Sequence, residues 1–201
     1  MDLSLLETLN GYAARHDSFF EDPLRFVSVE APVLFIVLLA ALFLANGNLA
    51  SRNARHGVVA AGFSAALALG IAQVVNHLWA RPRPYVAHPG DVHLFIPASM
   101  DTSFPSDHAT AAFAIAVAIF LRSRRAGWIA LAMATLVSVG RVVVGTHYPT
   151  DVLAGAAIGT LSALVFFHPR VRGPLHALAD PPAPLGLDAQ VVLTRLVLAR
   201  G

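Results

Sequence analysis

The chain has no cysteine, which excludes disulfides and thiolate metal sites. It has no lysine either: all 14 of its Lys+Arg residues are arginine. Lysine Schiff-base chemistry is therefore excluded as well. Charge is scarce. Only 13% of the 201 residues are Asp, Glu, Lys or Arg, and 56% are hydrophobic. Soluble domains carry about 25% charged residues, so this deficit implies a polytopic membrane protein. Net charge is only +2 and the arginines form no single stripe, which argues against nucleic-acid binding. The N-terminus lacks the basic region and cleavage site of a signal peptide, since Asp2 and Glu7 stand there instead.

Apolar runs divide the chain. Residues 3–16 are mildly amphipathic and too short to span, as an interfacial helix would be. Five spans of roughly the length a bilayer demands are expected: 26–45, 58–79, 106–121, 127–144 and 149–167. The expected fold is thus an all-α, polytopic membrane helix bundle. It has an N-terminal interfacial segment (1–25), a transmembrane domain (26–168) and a tail (169–201). The loop 80–105 is rich in proline and is expected to be non-helical; a loop so long between short turns points to function. Gly155 and Gly159 have the GxxxG spacing that lets helices approach closely. Arginines concentrate in 46–57, 122–126 and the tail, which puts those segments in the cytoplasm. The N-terminal segment, the long loop and residues 145–150 then face outward.

Three polar clusters fall at that outer face: Arg81 and Arg83 in RPRP, Ser106-Asp107-His108, and Arg141, His147 and Asp151 in RVVVGTHYPTD. Ionisable groups at membrane helix ends are costly and so point to function. Their types suit phosphoryl transfer. Arg83 and Arg141 offer planar bidentate donors. The helix start near Pro105 offers free N–H groups, with the Ser106 hydroxyl beside them. His147 is a candidate nucleophile oriented by Asp151, and His108 a candidate general acid. Each cluster also has an ordinary structural reading. Pro105 and Pro149 suit helix starts, Ser106 suits a cap, and Arg81 and Arg83 suit headgroup contacts. Nine histidines are present, but no HExxH or close histidine pair suggests a metal.

FPSDHAT (104–110) and GRVVVGTHYPTD (140–151), preceded by RPRP (81–84), resemble the type 2 phosphatidic acid phosphatase superfamily over roughly residues 57–165. The Ser-Asp-His form is most similar to the bacitracin-resistance type of undecaprenyl-diphosphate phosphatase. The resemblance implies a metal-free, cofactor-free phosphatase of a polyprenyl diphosphate lipid in the cell inner membrane, its site facing the periplasm or exterior, with no obligate protein partner. It implies His147 as the nucleophile forming a phosphohistidine, Asp151 as its partner and His108 as the acid. Arg83, Arg141 and Ser106, with the backbone at Asp107, would bind phosphate. Three positions depart from the pattern. Asn76 stands where the motif has lysine, and Arg81 is expected to compensate. Gly140 stands where a serine often precedes the third-motif arginine, and Asp107 replaces a common glycine. Rival readings are a phosphatase of phosphatidylglycerophosphate or phosphatidate, and a non-catalytic lipid or anion transporter.

Overall fold

A computed structural model describes residues 2–16, 22–23, 26–30, 33–37 and 52–179. Every element in it is helical. Helix α1 (Asp2–Arg15) is followed, beyond the short helical stretches 26–30 and 33–37, by α2 (Arg52–Leu78). Then come a single turn, α3 (Pro84–Ala87), and α4 (Asp107–Arg122), α5 (Arg124–Val143), α6 (Pro149–Phe167) and α7 (Pro169–Ala179). The expected span 26–45 lies partly outside the described residues. The long loop does not stay wholly non-helical: α3 forms within it, with Pro84 at its first position, where proline's missing N–H costs nothing. The first part of the tail is helical too, and contains Pro174.

Among the described residues, His56–Leu78, Arg124–Val143 and Pro149–Phe167 are long and apolar enough to cross a membrane. Helix α4 has 16 residues, about 24 Å at 1.5 Å per residue, short of the ~30 Å hydrocarbon core. It lies at the centre of the bundle, packed on α2, α5 and α6. Alanine makes this possible: Ala109, Ala112, Ala114, Ala116 and Ala118 are all buried, and small side chains let backbones approach. The glycines of α6 serve the same contact. A Cβ on Gly155 would lie 2.7 Å from the Ser106 carbonyl, and one on Gly159 would meet the Thr110 carbonyl and lie 2.7 Å from the Ala114 nitrogen. The GxxxG face therefore holds α6 against α4 within the chain.

Helix α1 docks on the bundle against α5 and α6. Leu6, Asn10 and Ala13 form its buried face. Asn10 donates to the carbonyls of His93 (2.8 Å) and Val143 (2.7 Å) and accepts from the His93 N–H (2.8 Å). One amide thus ties three segments together, with its acceptor and both donors in use.

Candidate active site

The turn between α5 and α6 is folded around one carbonyl. The N–H groups of Thr146 and His147 and the Thr146 hydroxyl all donate to the Arg141 carbonyl, at 3.2, 3.3 and 2.9 Å. Gly145 makes the reversal at φ +81°. A Cβ there would lie 2.7 Å from the His93 carbonyl, so glycine answers both backbone angle and space. His147 leaves this turn 2% exposed. Its Nδ1 lies 2.8 Å from the Ser103 carbonyl and 3.7 Å from Asp151 Oδ2. A carbonyl only accepts, so Nδ1 carries the proton and Nε2 keeps its lone pair. Burial holds the His147 imidazole below its ordinary range, with the neighbouring Asp151 carboxylate pulling the other way.

Asp151 is fully buried in the first turn of α6. Its Oδ2 accepts from the Tyr148 N–H (2.8 Å) and the Ser103 hydroxyl, and its Oδ1 from Arg81 (2.7 Å). A buried carboxylate requires such saturation. Ser103 therefore bridges the pair, orienting His147 with its carbonyl and Asp151 with its hydroxyl. Asp151 is expected to orient the His147 ring; its Oδ2 lies 3.7 Å from Nδ1, and the Ser103 carbonyl takes the direct hydrogen bond. The start of α4 is fastened to the same place, because the Ser106 N–H donates to the Asp151 carbonyl (3.1 Å).

A cavity of about 270 Å³ opens beside His147. It is lined by Arg83, Arg141, His108, His147, Asp107 and Asn76 among others, so separate stretches of chain converge on it. Arg83 is held by the Asp101 carbonyl (Nε, 3.0 Å) and the Thr146 carbonyl (3.4 Å). Arg141 donates to the Ser28 carbonyl (3.1 Å). Both guanidiniums are buried. The carboxylate of Asp101 stays 4.0 Å from Arg83, so much of the positive charge remains for a ligand. Arg141 Nε and Ser106 Oγ are buried without a protein partner. Buried polar groups are almost always satisfied; Arg141, which lines the cavity, thus keeps a donor available to a ligand there. Asp107 Oδ2 accepts from the Gln73 amide (3.1 Å), while its Oδ1 is buried without a protein partner. Asn76 pairs with the Thr102 hydroxyl at the cavity wall. Among the described residues, no three His, Asp or Glu side chains converge as a metal would need.

Of the expected phosphate ligands, Arg81 and Ser106 are not among the residues that line the cavity. Arg81 is engaged elsewhere. Its NH1 donates to Asp151 and Thr150, its NH2 to Asp2, and its plane covers the Tyr148 ring at 3.7 Å. Burial opposes the charged form of Asp2, but hydrogen bonds from Thr150 and Arg81 outweigh it and hold the carboxyl below its usual range. Sequence reasoning missed Asp2, Gln73 and Ser103. Ser103 acts partly through a carbonyl that any residue possesses, and nothing local marks Asp2 or Gln73.

The PAP2 superfamily profile matches residues 57–172. Undecaprenyl-diphosphatase BcrC of Bacillus subtilis (strain 168) is 35% identical over 167 residues, 83% of each chain. The putative undecaprenyl-diphosphatase YbjG of Escherichia coli (strain K12) is 32% identical over 111 residues, 55% of each. Among solved structures, LpxE of Aquifex aeolicus superposes with a TM-score of 0.63 at 24% identity, over 83% of this chain and 94% of that one. A PAP2-type phosphatidylglycerolphosphate phosphatase of Bacillus subtilis gives 0.55 at 21% identity, over 85% and 84%. At those identities the structures speak for the fold.

Proposed function

This chain belongs to the PAP2 superfamily, and from that premise we propose that it hydrolyses undecaprenyl diphosphate to undecaprenyl phosphate and inorganic phosphate. It is a membrane lipid phosphatase. The observation that carries the reading is the single cavity shared by two imidazoles and two buried guanidiniums. The substrate is suggested by relatives named undecaprenyl-diphosphatase. The arginines in 122–126 and 170–172 favour a cytoplasmic placement of the opposite end, so the cavity opens to the periplasm or exterior of the inner membrane.

In this mechanism the terminal phosphate sits between Arg83 and Arg141, with the Ser106 hydroxyl on a further oxygen. The free lone pair on His147 Nε2 attacks phosphorus, and the bond to the bridging oxygen breaks. His108 gives its proton to that oxygen, and the lipid monophosphate leaves. His108 then takes a proton from water, whose oxygen attacks the phosphohistidine; the N–P bond breaks and phosphate departs. Ser103 and Asp151 steady the positive imidazole between the two steps. The chemistry needs charge stabilisation and alignment above all, and no metal or cofactor enters it.

The test is phosphate release by purified protein in detergent from undecaprenyl diphosphate, phosphatidylglycerophosphate and phosphatidate. The diphosphate is expected to lead in kcat/KM by at least ~10-fold, about 1.4 kcal/mol in transition-state binding. A lead for either phospholipid would reassign the substrate. Lipid binding without any release, unchanged by His147→Ala, would mean a transporter. EDTA is expected to leave the rate unchanged; a loss restored by Mg²⁺ overturns the metal-free step.

Arg83→Lys is expected to lower kcat/KM by roughly 100-fold, because a point charge replaces a planar fork held by two carbonyls. A variant within a few-fold of wild type removes Arg83 from phosphate binding. The pH profile gives a second check. A nucleophilic His147 must be neutral, and burial favours that form. The acid limb it contributes to kcat/KM therefore lies below the ordinary histidine value of about 6.5. A limb at higher pH that disappears with no change at His108 counts against this assignment.

A further inference from the structure

We propose that Arg81 and Asp2 are positioning residues: α1, through Asp2, holds Arg81 on the catalytic carboxylate of Asp151. This rests on the phosphatase reading above and extends it to a helix outside the matched family region of 57–172. The geometry is continuous. Arg81 NH1 reaches Asp151 Oδ1 at 2.7 Å, and NH2 reaches Asp2 Oδ2 at 2.8 Å. Asp2 in turn accepts from the Thr150 N–H (3.0 Å) and hydroxyl (2.6 Å). It therefore also satisfies an open N–H at the start of α6, the helix that carries Asp151. The Tyr148 ring closes one face of the guanidinium, and Asn10 and Leu6 keep α1 in place.

Arg81 cannot bind substrate phosphate while it makes these bonds, and it lies off the cavity. Its effect passes through Asp151. Ser103 and the Tyr148 N–H occupy Oδ2, so Arg81 is the side chain that meets Oδ1. The charged and titratable groups that meet this carboxylate are Arg81 from the long loop and His147 and Tyr148 from the turn, with Asp2 from α1 on the far side of Arg81. With Arg81 removed, a buried carboxylate loses its directly bonded cation. The carboxylate is then no longer held in place beside His147, and its support of positive charge on that ring weakens. Turnover falls while substrate affinity is spared.

The experiment measures kcat and KM of the full chain in detergent for wild type, Arg81→Ala, Arg81→Lys, Asp2→Asn and the double variant Asp2→Asn/Arg81→Ala. Thermal melting serves as the check on folding. Arg81→Ala is expected to lower kcat by roughly 30- to 100-fold with KM within about threefold. Arg81→Lys recovers part of the rate, since one amine reaches Asp151 but does not span both carboxylates. Asp2→Asn lowers kcat by about 3- to 10-fold, and adds less than twofold once Arg81 is gone. A raised KM with unchanged kcat in Arg81→Ala overturns the proposal, because Arg81 would then be binding substrate. Independent, multiplying losses at Asp2 and Arg81 also overturn it, as does a failure of Arg81→Lys to recover any of the rate. A wild-type protein that releases phosphate from no lipid sinks the phosphatase reading, and this one with it; an active wild type with indifferent variants sinks this one alone.

Discussion

His147→Ala is expected to release phosphate from lipid at less than about a thousandth of the wild-type rate, while the protein folds and still binds its substrate. The nucleophile forms a covalent bond, so its loss removes the pathway rather than weakening one step of it. Folding is spared because His147 has one direct hydrogen bond from its ring, to the Ser103 carbonyl. Binding is spared because Arg83 and Arg141 are anchored by carbonyls elsewhere. The measurement is single-turnover phosphate release, with acid-labile radiolabel trapped on wild type and absent from the variant. Substantial turnover in His147→Ala would move the nucleophile to water and leave His147 a base.

The second large effect is on stability. Gly159→Ala is expected to destabilise the protein by about 1–3 kcal/mol and to lower its melting temperature in detergent. The added methyl meets the Thr110 carbonyl and lies 2.7 Å from the Ala114 nitrogen, and backbone yields far less readily than a side chain. Helices α4 and α6 must separate. Since α4 begins at Ser106-Asp107-His108 and α6 holds Asp151 in its first turn, the separation also costs activity. Gly70 is the control, because nothing lies within 4 Å of a Cβ there, and Gly70→Ala should melt at or above wild type. Equal melting of all three proteins would show that the small-residue face is not what joins the helices.

The residues of the cavity were legible because an apolar sequence makes every ionisable side chain conspicuous. Arg83, His108, Arg141 and His147 all stood at helix ends, and all line the cavity. The course of α6 was legible to the residue, since Pro149 starts it. What the sequence hid was direction and distance. Arg81 and Arg83 flank Pro82, and Arg83 has φ −67° and ψ 153°. Backbone near the polyproline form turns once in three residues, so side chains two apart face different ways. One arginine entered the cavity and the other turned behind it. Nothing in RPRP tells which. Distance hid Asn10, whose partners are 83 and 133 residues away, and hid the role of an interfacial helix that is part of the outer wall.

Those same separations set an order of assembly. Asp2 precedes its partner Thr150 by 148 residues. Contacts between distant positions must wait for the intervening chain, and closing so large a loop delays them further. The bond between α1 and the start of α6 therefore closes only after the helices between them have been made.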